Sequence, residues 1–269
     1  MSAKPVILIT GASAGIGAAT ARLFGQQGYR VVLAARRSER LEELAAGIRS
    51  VGGEALVVPT DLSRREEIIA LASAALDQFG QIDILFNNAG FGRFGWLEEL
   101  EPAAKIDAQI QINLIGVIET TQAVLPSMIA RGRGHIINMS SLAGWIATPT
   151  YSIYAASKFG VRGFTEALRR EVGVYGIRVS GIYPGAVATE FSQHTGDRRK
   201  TGIKTPSRMR LTSEQVALAI WKLARHPRRT VVIPGIMWLA IWINSLLPWA
   251  VDWLIERRFV RRERTSYKN

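Results

Sequence analysis

The chain has 269 residues, of which 48% are hydrophobic and 21% charged, enough for the core of one large α/β domain or two small ones. It contains no cysteine, which excludes disulfides and thiolate chemistry, and its three histidines are too scattered to form a metal site. The net charge of +12 is uneven, because the residues from Glu190 onward include 16 Lys and Arg against 6 Asp and Glu.

Apolar runs of strand length alternate with helix-length segments along most of the chain. Seven such runs occur: VILIT (6–10), VVLAA (31–35), ALVV (55–58), IDILF (82–86), HIINM (135–139), RVSGI (178–182) and VVI (231–233). Helices are predicted between them, as in 66–79 and the long region 102–130, because apolar residues recur there at helical spacing. The alternation predicts an α/β fold with a doubly wound parallel sheet of seven strands. The first run lacks a cleavage site behind it and is predicted to be a buried strand, not a signal peptide.

The first strand–helix junction, TGASAGIG, is rich in glycine. Its spacing is G-x-x-x-G-x-G, which differs from the commoner G-x-G-x-x-G. Glycines here allow a sharp turn and a close approach to a pyrophosphate at the N-terminus of a helix. The junction therefore predicts a dinucleotide-binding loop. Its predicted contacts are Gly11, Ser13, Ala14, Gly15, Ile16 and Gly17.

The second strand ends in AARRSER, where sites that prefer NAD place a carboxylate for the ribose 2′-hydroxyl. This chain has Ala35 at that point, followed by Arg36 and Arg37. Guanidinium groups match a 2′-phosphate, so the sequence favours NADP over NAD, with Arg36 as the principal contact. The alternative is that both arginines are solvated at the start of the second helix.

Polar residues follow three further strands. Asp61 is predicted either to accept a hydrogen bond from the adenine amino group or to cap the next helix with Ser63. The run NNAG (87–90) offers asparagine side chains and a close-packed glycine, and Thr189 is predicted to bind the nicotinamide amide. The predicted cofactor contacts in these segments are Asp61, Leu62, Asn88, Ala89, Gly90, Pro184, Gly185, Val187 and Thr189.

Tyr154 and Lys158 stand four residues apart in the stretch SSLAGWIATPTYSIYAASK. On a helix this spacing puts both side chains on one face, where the ammonium is predicted to lower the phenol pKa from its ordinary value near 10. Ser141 offers a hydroxyl that holds a substrate oxygen beside the phenol. These groups predict a proton-transfer site, and the alternative is a solvated helix face. Tyr151 is not expected to take part, because Ala155 stands four places on.

Asn113 lies in the apolar helical stretch QINLIGVI, where a buried amide is costly unless it is hydrogen-bonded, so a structural or catalytic role is predicted. With it, seven motifs stand in the order of one family. They are TGASAGIG, Asp61-Leu62, NNAG, Asn113, Ser141, Tyr154-x-x-x-Lys158 and PGAVAT. On these motifs the chain resembles the short-chain dehydrogenase/reductases over about residues 5–233.

The resemblance implies one Rossmann-type domain that holds both cofactor and substrate. It implies that Tyr154 is the general acid and base, and that Lys158 binds the nicotinamide ribose and lowers the Tyr154 pKa. It further implies that Ser141 holds the substrate oxygen and that Asn113 supports a water that relays protons to Lys158. Relatives in this family are mostly dimers or tetramers, so a homo-oligomer is expected.

Residues 1–235 are predicted to form the catalytic domain, in which 190–211 is the variable substrate lid. This stretch is polar and strongly basic. Either it contacts an anionic group of the substrate or it is a solvated loop. Its candidate cations are Arg198, Arg199, Lys200, Lys204, Arg208 and Arg210.

Residues 236–269 are predicted to form a C-terminal helical extension. No charge occurs between Thr230 and Val251, but a membrane span is not predicted. The first part is strand, and a helix over 236–247 would be about 18 Å long, short of a hydrocarbon core of about 30 Å. Pro248 begins a second helix that carries charged residues.

Four of the seven tryptophans lie in this extension, close to clustered arginines. This combination is typical of a helix in a bilayer interface, so one interpretation is peripheral contact with an anionic membrane. The others are contact with another subunit and a wall of the substrate pocket. The basic charge of the last third fits an anionic partner or a soluble basic surface, and no nucleic-acid-binding motif accompanies it.

The sequence as a whole predicts an NADP(H)-dependent oxidoreductase that interconverts a carbonyl and an alcohol on an apolar substrate, lipid-like in one interpretation. The protein is expected in the cytoplasm, free or peripheral on the membrane, with neither a metal nor nucleic acid as partner. The alternative from another class is a regulator or scaffold that binds NADP without turnover. The joint presence of Tyr154 and Lys158 argues against it.

Overall fold

The computed structural model describes residues 4–188 and 210–265. Its centre is one sheet of seven parallel strands in the order β3-β2-β1-β4-β5-β6-β7. The strands are β1 (Val6–Thr10), β2 (Arg30–Ala35), β3 (Glu54–Pro59), β4 (Ile84–Asn87), β5 (Gly134–Met139), β6 (Ile177–Pro184) and β7 (Thr230–Ile233). The chain builds outward from β1 to β3 and then returns to the other side of β1, which is a doubly wound sheet. The predicted fold class is confirmed.

Helices connect the strands and cover both faces of the sheet. They are α1 (Gly15–Gln26), α2 (Ser38–Ser50), α3 (Arg65–Phe79), α4 (Ala108–Ile110), α5 (Gly116–Arg131), α6 (Ser152–Val172) and α7 (Ser213–Arg225). The helical run from Pro102 to Arg131 is continuous and contains a π-helical turn, Gln111–Ile115. The long helix predicted for 102–130 is therefore present, with a local irregularity that apolar spacing did not indicate.

The two faces of the sheet have separate cores. In β1, Ile7 and Ile9 pack with side chains of α1, α2 and α7, whereas Val6 and Leu8 pack with side chains of α3, α5 and α6. Successive strand residues point to opposite faces, so a strand covered on both sides must be apolar throughout. This is why β1 and β2 could be read from the sequence as nearly continuous apolar runs.

After β7 the chain forms a helical extension. Its elements are α8 (Met237–Leu246), α9 (Pro248–Ile255), a π-helical turn (Glu256–Val260) and α10 (Arg261–Thr265). Pro248 starts a new helix because it has no N–H for the preceding one. Ile241 of α8 is buried with Tyr183 and Val232, which fixes α8 to the domain.

Two stretches among the described residues have the length and composition of a membrane-crossing helix. One is Pro102–Arg131, but α5 buries Val117, Val124 and Met128 within the domain, as a core helix does. The other requires α8 and the following helix to act as one span, although the two are bent by 107°. This bend agrees with the expectation that the extension does not cross a membrane.

His135 of β5 is buried beside Ser180 of β6, with 2.8 Å between Nε2 and Oγ. Burial, assisted by the charge of Arg178, lowers the His135 pKa from 6.5 to about 4. The folded protein therefore keeps the imidazole neutral in a pH range where the unfolded chain protonates it.

We expect the free energy of unfolding to fall as the pH falls from 6.5 to 4, with His135 contributing up to about 3 kcal/mol of that loss. The stabilisation that neutral His135 contributes is complete above the pKa that its imidazole has in the unfolded chain. It is lost as the pH falls below that pKa, because protons then bind the unfolded chain. Denaturant unfolding at a series of pH values measures the slope of the free energy of unfolding against pH. His135→Gln, which has no imidazole to titrate, should show a shallower slope; an equal slope would contradict the assignment.

Candidate active site

The glycine loop joins β1 to α1 and has a backbone that favours glycine. Gly11 and Gly15 have φ angles of +66° and +52°. A Cβ atom on Gly17 would lie 2.3 Å from the carbonyl oxygen of Gly11, and one on Gly11 would lie 2.8 Å from Cα of Ala89. The loop therefore lies directly against the segment after β4, with no room for side chains at Gly11 or Gly17.

Thr10 and Asn88 fasten this loop to the end of β4. Thr10 Oγ1 accepts hydrogen bonds from the backbone N–H of Asn88 at 3.0 Å and of Ala89 at 3.1 Å. The Asn88 amide donates to the carbonyl oxygens of Thr10 at 2.9 Å and Gly11 at 3.2 Å. The side chain of Asn88 thus holds the loop, a use that the sequence did not indicate.

The loop ends at the N-terminus of α1. This helix has no side-chain cap and no acidic residue in its first turn, so its first N–H groups attract an anion. The predicted contacts Ser13, Ala14 and Ile16 lie at this helix start. A close-packed glycine turn at an uncapped helix start fits the pyrophosphate of a dinucleotide, which identifies this end of the cleft as a candidate cofactor site.

Arginine side chains lie beside the glycine loop, in the segment that follows β2. Arg37 donates from Nε and Nη2 to the Ser13 hydroxyl oxygen at 3.1 and 3.0 Å. Arg36 is exposed, and a groove of about 560 Å³ between α1 and α2 is lined by Ser13 and Arg40. This cationic region beside the glycine loop fits an anionic group.

Asp61 follows β3 and bonds its own segment. Its Oδ1 accepts from the backbone N–H of Ser63 at 2.9 Å and from the Ser63 hydroxyl at 2.8 Å. Burial acts to raise the pKa of Asp61, but these hydrogen bonds and the charges of Arg36 and Arg64 leave it below its ordinary value. The carboxylate therefore shapes the turn before α3, and its predicted adenine contact stays a prediction. Leu62 beside it is buried.

Tyr154 and Lys158 lie one turn apart on α6, as predicted, and both are buried. The Lys158 Nζ atom lies 5.7 Å from the centre of the Tyr154 ring and donates to the carbonyl oxygen of Met139 at 3.1 Å. Met139 ends β5, so the amine is anchored at the carboxyl edge of the sheet. Helix α6 therefore places a phenol and an amine at the carboxyl edge of the sheet, where the glycine loop also lies.

Ser141 stands just after β5 and caps the short helical turn Leu142–Gly144. Its hydroxyl oxygen accepts from the backbone N–H of Ala143 at 3.1 Å, which fixes the side chain, and the hydroxyl is close enough to Tyr154 to act on the pKa of the phenol. The structure therefore brings the serine, the phenol and the amine together, as the sequence predicted.

Burial determines the pKa values of this group. It raises the pKa of Tyr154 to about 12, although the hydrogen bond with Ser141 acts in the opposite direction. It lowers the pKa of Lys158 to about 8. The prediction that the ammonium lowers the phenol pKa is therefore not met in this structure. Both groups are removed from water, so the cost of desolvating a charge exceeds the attraction between them.

Asn113 lies in the π-helical turn between α4 and α5 and is buried. Its Nδ2 donates to the carbonyl oxygen of Phe91 at 2.8 Å and to Ser157 Oγ at 3.2 Å, and its Oδ1 accepts from the Phe91 N–H at 2.9 Å. A Cβ atom on Gly90 would lie 3.1 Å from this Oδ1 and 3.3 Å from Lys158 Nζ. Asn113 and Lys158 therefore flank one glycine, and the buried amide is hydrogen-bonded as expected.

The segment after β6 is held at its base. Gly185 follows Pro184 and donates its N–H to the carbonyl oxygen of Ile233 at 2.8 Å, while Val187 forms a parallel bridge with Leu211. These contacts hold the described residues up to Ala188 and from Arg210 onward at the carboxyl edge of the sheet. Several predicted contacts lie outside the described residues, namely Thr189, Arg198, Arg199, Lys200, Lys204 and Arg208.

Aromatic rings surround Tyr154. Phe94 stacks on Tyr151 with ring centres 3.8 Å apart and meets the Tyr154 ring edge-on at 5.5 Å. Tyr151 has no lysine one turn on, so its spacing does not predict a place here, and no local signal points to Phe94. Both residues belong to the wall around the phenol, and only the fold brings them together.

A second aromatic group lies near Ser141. The Trp145 ring is 5.7 Å from Tyr183 and 5.4 Å from Trp238 of α8, with Leu142 and Ile146 nearby. The extension therefore contributes to the apolar surroundings of the site through Trp238. The tryptophans of this segment had been noted in the sequence, but their contact with Trp145 was not predicted.

Comparison with known proteins agrees with this geometry. A family model described as short chain dehydrogenase matches residues 5–200. An uncharacterized oxidoreductase of Listeria innocua is 43% identical over 195 residues, which are 72% of this chain and 78% of that protein. The structure of a short chain dehydrogenase/reductase from Burkholderia phymatum in complex with NAD has a TM-score of 0.81 at 27% identity, covering 90% of this chain and 93% of its own. A metagenomic short-chain oxidoreductase in complex with NADP has a TM-score of 0.72 at 36% identity, covering 86% and 96%. The chain therefore belongs to the short-chain dehydrogenase family of oxidoreductases.

Proposed function

We propose that the protein is an NADP(H)-dependent oxidoreductase that interconverts a carbonyl and an alcohol on an apolar substrate. One observation carries the proposal: Tyr154 lies one helical turn from Lys158 and interacts with the Ser141 hydroxyl, and Lys158 lies against Gly90 in the segment on which the glycine loop packs. A hydroxyl to hold an oxygen, a phenol to protonate it and a buried amine beside the phenol are the parts that carbonyl reduction needs.

When bound, the nicotinamide supplies or accepts the hydride at the substrate carbon. Ser141 holds the carbonyl oxygen, and Tyr154 donates its proton to that oxygen as the carbonyl is reduced. Burial keeps the phenol protonated, since its pKa is about 12, and an alkoxide is a stronger base than a phenolate, so the transfer favours the alcohol. Lys158, whose pKa burial lowers to about 8, would hold the nicotinamide ribose, and Asn113 supports the water that relays a proton to the amine.

The apolar character of the substrate follows from the surroundings of the phenol. Phe94 and Tyr151 form a stacked wall on one side of Tyr154, and Trp145 contacts Trp238 near Ser141. Such walls bind hydrocarbon by burying apolar surface and leave the polar contacts to the reacting oxygen.

The choice of NADP rests on the arginines after β2. Solved relatives hold either NAD or NADP, so the family alone does not decide. In this chain Ala35 replaces the carboxylate that the NAD ribose requires, and Arg36 and Arg37 follow it near Ser13. A 2′-phosphate would be held there by guanidinium groups.

The proposal includes the organisation of the chain. Residues 1–235 form the catalytic domain with a substrate lid at about 190–211, and residues 236–269 form an extension that contacts an anionic membrane peripherally, on its cytoplasmic face. The protein is a homo-oligomer, a dimer or tetramer, as is common in the family.

A panel of ketones and aldehydes of increasing chain length, assayed with NADPH, tests the function. We expect NADPH oxidation with at least one member and a higher kcat/KM for longer apolar members. Binding of NADPH without turnover of any carbonyl, and without oxidation of the matching alcohols by NADP, would favour the regulator or scaffold instead.

The same assay tests the cofactor through Arg36→Ala. Loss of one charged contact to the 2′-phosphate should raise KM for NADPH by about 10- to 100-fold and leave KM for NADH within a few-fold. Arg170→Ala removes an exposed arginine from α6 and serves as the control for a lost surface charge. Equal increases in KM for NADPH and for NADH would show that Arg36 does not bind the 2′-phosphate.

A further inference from the structure

Helices α8, α9 and α10, residues 237–265, here called the C-terminal arch, begin beside one loop of the site. Trp238 of the arch meets Trp145 with ring centres 5.4 Å apart. Trp145 lies four residues after Ser141, on the loop between β5 and α6. The first end of the arch therefore rests on the loop that carries the serine.

The other end of the arch reaches a different loop of the site. The guanidinium carbon of Arg264 lies 3.8 Å from the centre of the Trp96 ring, and Arg264 also pairs with Glu98. Trp96 is two residues after Phe94, whose ring meets Tyr154. The arch thus bridges the loop that carries Ser141 and Tyr151 and the loop that carries Phe94, whose ring meets Tyr154.

The outer face of α8 is apolar and uncovered in the described part of the chain. Leu239, Trp242, Ile243 and Leu246 recur at three- and four-residue spacing, so they lie on one face, and they are 59%, 59%, 44% and 70% exposed. Ile241 on the other face is only 3% exposed. The helix is therefore attached through one face and presents a hydrophobic stripe on the other.

The exposed apolar surface continues on α9. Trp249 and Trp253, one turn apart, are 71% and 56% exposed, and Arg257 lies over the Trp253 ring at 4.9 Å. The arginines that follow outnumber the carboxylates of this part of the arch. The arginines are Arg257, Arg258, Arg261, Arg262 and Arg264, and the carboxylates are Asp252, Glu256 and Glu263.

We propose that this outer face docks on an anionic lipid bilayer and that the apolar substrate reaches the site from the lipid. The second half rests on the proposed function. Exposed tryptophans and leucines enter the acyl boundary, and arginines next to them pair with lipid phosphates. Docking at this face sets the entrance beside Tyr154 against the hydrocarbon, where an apolar substrate would be concentrated.

Two observations favour a bilayer over the other occupants. A two-fold contact with a second copy would set the same net-positive face against itself, in a chain whose net charge is +12. Insertion across a membrane is opposed by the 107° bend and by the burial of Ile241 against the domain. Because α8 and α9 are bent relative to each other and α8 packs on the domain through one face, the pair is suited to lie along a membrane surface.

Vesicle flotation with the full chain tests the proposal. We expect binding to vesicles of phosphatidylcholine and phosphatidylglycerol, weaker binding to phosphatidylcholine alone, and loss of affinity in high salt. Leu239→Gln, Leu246→Gln and Trp249→Gln combined should reduce binding at least tenfold, since each removes apolar surface from the contact. The control combines Val51→Gln, Ile69→Gln and Val174→Gln, which change equally exposed residues outside the arch and should bind as the wild type.

Absence of binding by the wild type, or equal binding by the triple arch variant, would overturn the proposal. Light scattering without lipid completes the test: a wild-type dimer that the arch variant converts to monomer, without vesicle binding, would assign the face to a second subunit. Tyr154→Phe should bind vesicles as the wild type does while it loses turnover. A failure of docking can therefore be distinguished from a failure of catalysis. The arch variant should reduce a short water-soluble carbonyl normally and lose rate only with a substrate delivered in vesicles; an equal loss with both would refute delivery from the lipid.

Discussion

Replacing Tyr154 by phenylalanine should lower kcat for carbonyl reduction by about 10²- to 10⁴-fold, the contribution typical of a positioned general acid. The ring remains, so its contact with Phe94 and its place on α6 are kept, and only the hydroxyl that interacts with Ser141 is lost. NADPH binding should stay within a few-fold of the wild type. Steady-state kinetics together with a fluorescence titration of NADPH separate the two effects.

Tyr175→Phe is the matched control, because Tyr175 is a half-exposed phenol beyond the end of α6 and far from the site in sequence. It should retain full activity. Unchanged turnover in Tyr154→Phe would refute the acid–base role. Loss of NADPH binding together with turnover would show that the hydroxyl serves the architecture of the site rather than proton transfer.

Gly17→Ala should weaken NADPH binding by tenfold or more and lower the free energy of unfolding by about 1–3 kcal/mol. The added methyl would lie 2.3 Å from the Gly11 carbonyl oxygen and 2.7 Å from Asn88 Nδ2, so the glycine loop must move away from the end of β4. Denaturant unfolding and the same fluorescence titration measure both changes.

Gly47→Ala makes the same chemical change within α2, where an added Cβ would meet no atom within 4 Å. It should leave cofactor affinity unchanged and stabilise the protein by up to about 1 kcal/mol, because alanine is the better helix former. If the two variants bound NADPH equally, the close contact of the glycine loop would not be what holds the cofactor site together.

The fold was predictable because strands covered by helices on both faces are rich in apolar residues, and such runs can be recognised in the sequence. The runs at 6–10 and 31–35 are apolar apart from Thr10, and each coincides with a strand of the sheet to within a residue. The π-helical turn around Asn113 left no such trace, because apolar spacing over five residues does not distinguish it from an α-helix.

The components of the site were predictable where their spacing is local, as for Tyr154 and Lys158 on one helix. Contacts between distant segments were not. Phe94 meets Tyr151 across 57 positions of sequence, and Arg264 meets Glu98 across 166. The direction of the Tyr154 pKa shift was missed for the same reason, since it depends on how deeply the fold buries the ring and not on the neighbour one turn away.

The hydrogen bonds between Thr10 and Asn88 have a consequence for the thermodynamics of cofactor recognition. They tie the glycine loop to the end of β4 through the protein's own groups. A loop held by its own hydrogen bonds loses little conformational entropy on association, so the cost of ordering it is small. Asn88→Ala should therefore show its cost as a less favourable binding entropy, with the enthalpy of the phosphate contacts largely retained.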